Sequence, residues 1–164
     1  MESLFSIVET KQFKNEVERI LHLPGCVVKN TIELTFVLDK AMPGEWAQAA
    51  TKDILSILKR HSEVFRNIRL NVVTWGEKVT QDVIPTAQIV MGSYFDHWEE
   101  IEDKKRAGEE ELYSFLRLFQ ARSKIVIVFS KDGLQQQNEA ACKKLLQPFL
   151  GRKLINLPLC QKFL

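Results

Sequence analysis

The sequence predicts an α/β fold, a Rossmann-like three-layer α/β/α sandwich with a mostly parallel sheet and one antiparallel edge strand. Three observations predict it. Near-continuous apolar runs, Ile32 to Leu38 and Ile125 to Phe129, read as strands covered on both faces. Amphipathic stretches with helical spacing separate the runs, which implies crossover connections. Between two of the runs, Gly76-Glu77 suits a tight two-residue turn that reverses one strand.

Taken in order, Phe13, Val17, Ile20 and Leu21 form one apolar stripe, so a helix is expected from about Thr10 to His22, ended by Pro24-Gly25. Residues 1–30 read as an N-terminal extension carrying that helix. The first strand is expected from about Thr31 to Leu38. It runs into Asp39-Lys40-Ala41-Met42-Pro43, and a helix follows from about Glu45 to His61 with Trp46, Ala49, Ala50, Ile54, Ile57 and Leu58 inward. Pro43 and Gly44 stand at its start, where proline is tolerated.

The second strand is expected from Ile68 to Trp75 and its antiparallel partner from Lys78 to Ile84, with weak alternation that suits an exposed edge. Thr86 to Tyr94 reads as a loop. Asp96 to Arg106 reads as a charged helix, acidic residues before basic ones, anchored by Trp98 and Ile101. A better helix spans Glu109 to Gln120. A strand at Lys124 to Phe129, a turn at Ser130-Lys131-Asp132-Gly133, a helix at Asn138 to Gln147 and a short strand at Lys153 to Leu157 complete the pattern.

At 164 residues the chain is expected to be one domain with a substantial core. Its 45% hydrophobic and 27% charged residues fit an ordinary globular protein, and a net charge of +2 calls for neither nucleic acid nor an anionic membrane. No apolar run approaches the roughly 20 residues of a membrane span. The N-terminus lacks the basic start and apolar stretch of a secretory signal. The three cysteines, Cys26, Cys142 and Cys160, are widely spaced with no CxxC, so free thiols in a cytoplasmic setting are expected rather than a zinc site.

Asp39 is the first candidate for chemistry, because ligands in open α/β sheets bind outside the carboxyl ends of the strands. Asp132, after the later strand, would flank the same crevice. The pair reads either as a residual metal or ligand site or as turn and capping residues. No Gly-rich phosphate loop and no Gly-x-Ser-x-Gly elbow is present. His22, His61 and His97 stand at helix ends, far apart. Lys59, Arg60, Arg66 and Arg69 cluster after the first long helix and could contact phosphates, but no stacking platform accompanies them. Tyr94, Phe95 and Trp98 are the aromatic candidates for a partner contact.

The order of elements, with Thr35-Phe36-Val37-Leu38-Asp39, Asn71-Val72-Val73-Thr74-Trp75-Gly76-Glu77-Lys78-Val79 and Ile125 to Gly133, resembles the von Willebrand factor A domain. The match runs from about Thr31 to the C-terminus. The resemblance implies a binding role. It also implies where a divalent cation such as Mg²⁺ would be held: Asp39 as first ligand, the two serine positions, a threonine position near Glu109 or Glu110, and Asp132 as the later aspartate. The serine positions hold Ala41 and Pro43, which cannot coordinate an ion, and a hard cation wants several oxygens. The expectation is therefore a non-catalytic protein–protein interaction module, cation-independent, with another protein as partner. The alternative is a metal-dependent α/β enzyme or ligand-binding domain using Asp39 and Asp132, with Ser130, Thr86 or Glu110 as a third oxygen ligand.

Overall fold

A computed structural model describes residues 27–119, 125–149 and 154–159. The helix expected over Thr10 to His22 lies outside the described residues, as do Cys26 and Cys160. The strands are β1 (Val27–Val28), β2 (Thr31–Asp39), β3 (Asn67–Trp75), β4 (Val79–Val83), β5 (Ile125–Ser130) and β6 (Leu154–Pro158). The helices are α1 (Gly44–Lys59), α2 (Thr86–Val90), α3 (Glu109–Leu116) and α4 (Ala140–Leu146). Short 3₁₀ turns cover Ser93–Phe95, Asp103–Lys105, Arg117–Phe119 and Gln147–Phe149.

The main sheet runs β4-β3-β2-β5-β6. β3, β2, β5 and β6 are parallel, and β4 returns antiparallel beside β3. The chain builds outward from β2 to β4, then reverses to β5 on the other side. The gap between the carboxyl ends of β2 and β5 is thus the topological switch point.

Alternation along the strands divides the core into two layers. Ile32, Leu34, Phe36 and Leu38 of β2 face Ala47, Ala50, Ile54 and Leu58 of α1 and Ile89 of α2. Val37, Val73, Trp75, Val126 and Val128 face Leu112 and Leu116 of α3 and Cys142 and Leu146 of α4. Helices therefore cover both faces of a mostly parallel sheet, the expected Rossmann-like arrangement. No described helix is long and apolar enough to cross a membrane.

Four expectations need correction. The stretch Asp96 to Arg106 is not a helix: the Ile101 N–H donates to the Lys40 carbonyl at 2.9 Å, and the Trp98 indole N–H donates to the Met42 carbonyl at 3.0 Å. A helix there would also stack Glu99 against Glu102 and Asp103, like charges at unfavourable spacing. Thr86–Val90 is a short helix rather than a loop, because Pro85 presets its start at φ −58° and Ile89 buries against the core. The hairpin between β3 and β4 has three loop residues, since Trp75 pairs with Val79. Finally, a second antiparallel pair exists: β1 folds onto β2 through Lys29 and Asn30, both at positive φ (53° and 63°). That two-residue turn matches strand twist without glycine.

Candidate functional site

β2 ends at Asp39, which stands in register with Trp75, the last residue of β3. The Lys40 N–H bonds the Trp75 carbonyl at 3.0 Å, so the strand ends are fixed together. Asp39 is fully buried. Its Oδ1 accepts from the Ala41 N–H at 2.8 Å. Its Oδ2 accepts from Arg106 Nη1 at 2.6 Å and from the Lys131 N–H at 3.2 Å. One donor comes from its own turn, one from the loop after β5 and one from a residue 67 positions away. A carboxylate with three donors, one of them cationic, is satisfied despite its burial.

Arg106 is held from its other side as well. Its guanidinium lies 3.8 Å from the centroid of the Trp75 ring, a cation–π contact. The Trp75 indole N–H donates to the Ala107 carbonyl at 2.8 Å, and the Ala107 N–H donates to Gly76 at 2.8 Å. Residues 98–107 thus form a strap across the carboxyl ends of the strands. Trp98 fastens its near end: Lys40 Nζ lies 4.1 Å from the Trp98 ring centroid, and a Cβ on Gly44 would come within 2.9 Å of Trp98 Cγ. Glycine at position 44 permits that approach. Burial under the strap lowers the Lys40 pKa, with Glu99 acting in the opposite sense.

A second carboxylate pins the loop after β5. Glu109, the first residue of α3, is 6% exposed. It accepts from the Gln135 N–H at 2.8 and 3.0 Å, from the Gln136 N–H at 2.9 Å and from the Tyr113 hydroxyl at 2.7 Å. Burial, reinforced by the neighbouring Glu109 carboxylate, pushes the Tyr113 phenol well above the usual tyrosine range. Glu109 is one of the two residues, with Glu110, near which the resemblance implies a threonine ligand, and its oxygens accept from two backbone amides and the Tyr113 hydroxyl.

Of the paired candidates, Asp39 and the turn containing Asp132 both lie at the switch point, because β5 pairs with β2. Asp132 itself is exposed, and among the described residues only its main-chain carbonyl is engaged, by Gln135 Nε2 at 2.7 Å. Among the described residues no group of three or more His, Cys, Asp or Glu side chains is placed to hold a metal ion. Ser130 ends β5, and its fully buried hydroxyl has no hydrogen-bond partner among the described residues. Glu110 is exposed, and Thr86 lies near the opposite end of the sheet. His61 is buried after α1 with Nδ1 3.5 Å from Glu63, and His97 is exposed.

The aromatic candidates line the strap's root. Phe95 is 8% exposed and packs edge-on to Tyr94, with Trp98 tilted beside it. Tyr94 is half-buried and bonds Thr74 Oγ1 at 3.2 Å; that burial raises its pKa. Beside the strap is a groove of about 380 Å³ lined by Ala41, Glu100, Ile101, Glu102, Asp103 and Lys131.

Sequence reasoning did not find Arg106. It ends a Lys104-Lys105-Arg106 run in which nothing local separates it from its neighbours. The stacking role of Trp75 was equally hidden, since its burial reads only as a strand end. No protein-family model matches this chain, and no curated protein matches it.

Proposed function

We propose that this chain is a non-catalytic protein–protein interaction module resembling a von Willebrand factor A domain, whose ligand face is organised by an internal arginine rather than by a cation. The observation that carries the reading is the 2.6 Å contact between Arg106 and the buried Asp39 carboxylate. A guanidinium at that position supplies the positive charge, and the two backbone donors complete the shell. Three of the roughly four acceptor sites of the Asp39 carboxylate are then occupied, so more than one bond to a metal would displace bonds it already makes.

Further support comes from the order of the sheet, with its antiparallel edge strand, and from Ala41 and Pro43 at the serine positions. The metal-dependent alternative needs Asp39 released, Asp132 turned inward and a third oxygen, and the present bonds oppose the first of these. A cytoplasmic location belongs to the same reading: Cys142 is a free, buried thiol, and burial raises its pKa, which makes it inert. The binding surface is the strap with its groove, flanked by half-buried Tyr94 and Trp98 and supported from below by Phe95.

A photo-crosslinking residue at exposed Glu100 tests this reading in cells that make the protein, with exposed Lys52 on α1 as the control position. A discrete adduct with another protein from position 100 and not from position 52 is expected. Adducts that are absent or identical from both sites contradict a partner at the strap.

A further inference from the structure

The opposite end of the sheet carries a groove that the Asp39 face does not explain. β4 ends at Val83, while β3 extends to Asn67, so the lower part of β3, paired with β2 on one side, has no described strand on its β4 side. A cavity of about 520 Å³ fills that step, with Ile68, Arg69 and Leu70 on one side and Val83, Ile84 and Pro85 on the other. A second, of about 310 Å³, continues from it around Lys59, Ser62, Phe65 and Arg66. The two share Asn67, Ile68 and Thr86 and so adjoin each other.

Three properties define what fits. The first is a backbone edge with no strand partner among the described residues. The Leu70 carbonyl accepts from the Ile84 N–H at 3.4 Å, which fixes the direction of alternate peptide groups along β3. Two residues earlier, the N–H and C=O of Ile68 point the same way, and Pro85 ends the partner strand. The second is charge. Lys59 and Arg66 are exposed on the α1 side, and Arg69 is exposed on the opposite face of β3. Lys59 and Arg66 have no ion-pair partner among the described residues, and Arg69 has only Glu33, at 3.2 Å with the arginine side chain 68% exposed. The third is an aliphatic wall, including Val83 at 71% exposure. Phe65, the aromatic ring of the second cavity, is buried to 3% and offers no stacking face.

The geometry points to an extended acidic segment of a partner protein, which adds to the edge of β3 at Ile68 and sets its carboxylates against Lys59 and Arg66 on the α1 side of the sheet. Strand addition supplies main-chain hydrogen bonds, and the flanking charges supply selectivity. The missing stacking platform argues against a nucleic acid. The inference concerns the far end of the sheet from Asp39, so it stands or falls separately from the strap.

The test uses the full chain and a fluorescein-labelled peptide of alternating Glu and Val, with an alternating Lys and Val peptide, inorganic phosphate and single-stranded oligo-dT as comparisons. Anisotropy measures affinity, and amide chemical shifts locate the contact. Saturable, salt-weakened binding of the Glu/Val peptide is expected, with shifts centred on Asn67, Ile68 and Thr86. Lys59→Glu and Arg66→Glu should each weaken it about tenfold or more while leaving the melting curve intact. Arg69→Glu, on the opposite face of β3, should weaken it less. The proposal is overturned if the peptide does not bind, if the shifts lie elsewhere, or if the charge reversals change nothing. It is also overturned if phosphate alone reproduces the shifts, which would make this a small-anion site, or if oligo-dT binds more tightly.

Discussion

Truncating Arg106 to alanine should destabilise the protein by about 3 kcal/mol, and the structure says how. Asp39 Oδ2 would lose its shortest donor, the 2.6 Å guanidinium contact, and keep only the Lys131 N–H at 3.2 Å. A charge-assisted bond of this kind contributes about 1.5–3 kcal/mol. Removing the cation from the Trp75 face forfeits about 0.5–2 kcal/mol more. Stranding a fully buried carboxylate can cost about 3–5 kcal/mol, but two effects reduce that figure here. Two backbone donors remain, and the Arg106 side chain is 20% exposed, so truncation admits water. For a chain of this size the loss corresponds to a drop in Tm of about 6–12 °C.

Urea unfolding followed by circular dichroism measures the change, and tryptophan fluorescence reports the uncovered Trp75 ring. Asp39→Asn keeps the shape of the side chain, and Arg106 can then turn toward solvent. A double-mutant cycle of Arg106→Ala with Asp39→Asn should return a coupling of about 1.5–3 kcal/mol. A loss below about 0.5 kcal/mol with no coupling would place the pair among inconsequential surface ion pairs and refute the reasoning.

Other consequences can be measured alongside. Glu109→Ala removes the acceptor for Gln135, Gln136 and Tyr113, so it should cost about 2–4 kcal/mol and speed hydrogen exchange at the Gln135 and Gln136 amides; unchanged exchange would contradict the anchoring role. Gly44→Ala gains helix propensity but meets Trp98 Cγ at 2.9 Å, so a net loss of about 1–3 kcal/mol is expected, and a neutral or stabilising result would show that the strap's root gives way freely. Tyr113 governs the alkaline limb of stability: an unfolded tyrosine ionises near pH 10, whereas the folded phenol, buried against Glu109, stays neutral. Its contribution is complete below pH 10 and falls by about 1.4 kcal/mol per unit above it. Tyr94 acts in the same direction, and Lys40, whose pKa is lowered, acts in the opposite one just below pH 10.5. Tyr113→Phe should therefore flatten the alkaline decline, and an unaltered slope would refute the assignment.

The buried strands were legible because burial on both faces leaves a continuous apolar run, as in Ile125 to Phe129, and α1 because its apolar stripe repeats at helical spacing. The antiparallel edge followed from Gly76, although the loop holds three residues. The Lys29-Asn30 turn escaped because neither residue is glycine, the usual mark of positive φ. The strap was misread for a different reason. Acidic residues followed by basic ones do suit an isolated helix, yet the backbone there is ordered by Lys40, Met42 and Gly76, none of them local. Asp39 could be singled out by its place at a strand end. Its partner could not, because a contact spanning 67 residues leaves no trace in periodicity or spacing.

The most direct test of an arginine in the place of a cation is a calorimetric titration of Mg²⁺ and Mn²⁺ into chelator-treated protein, with Asp39→Ala as control. The account predicts no saturable binding to the wild-type chain at millimolar metal. Saturable binding that disappears in Asp39→Ala would contradict it and restore a metal-dependent ligand site at the end of β2.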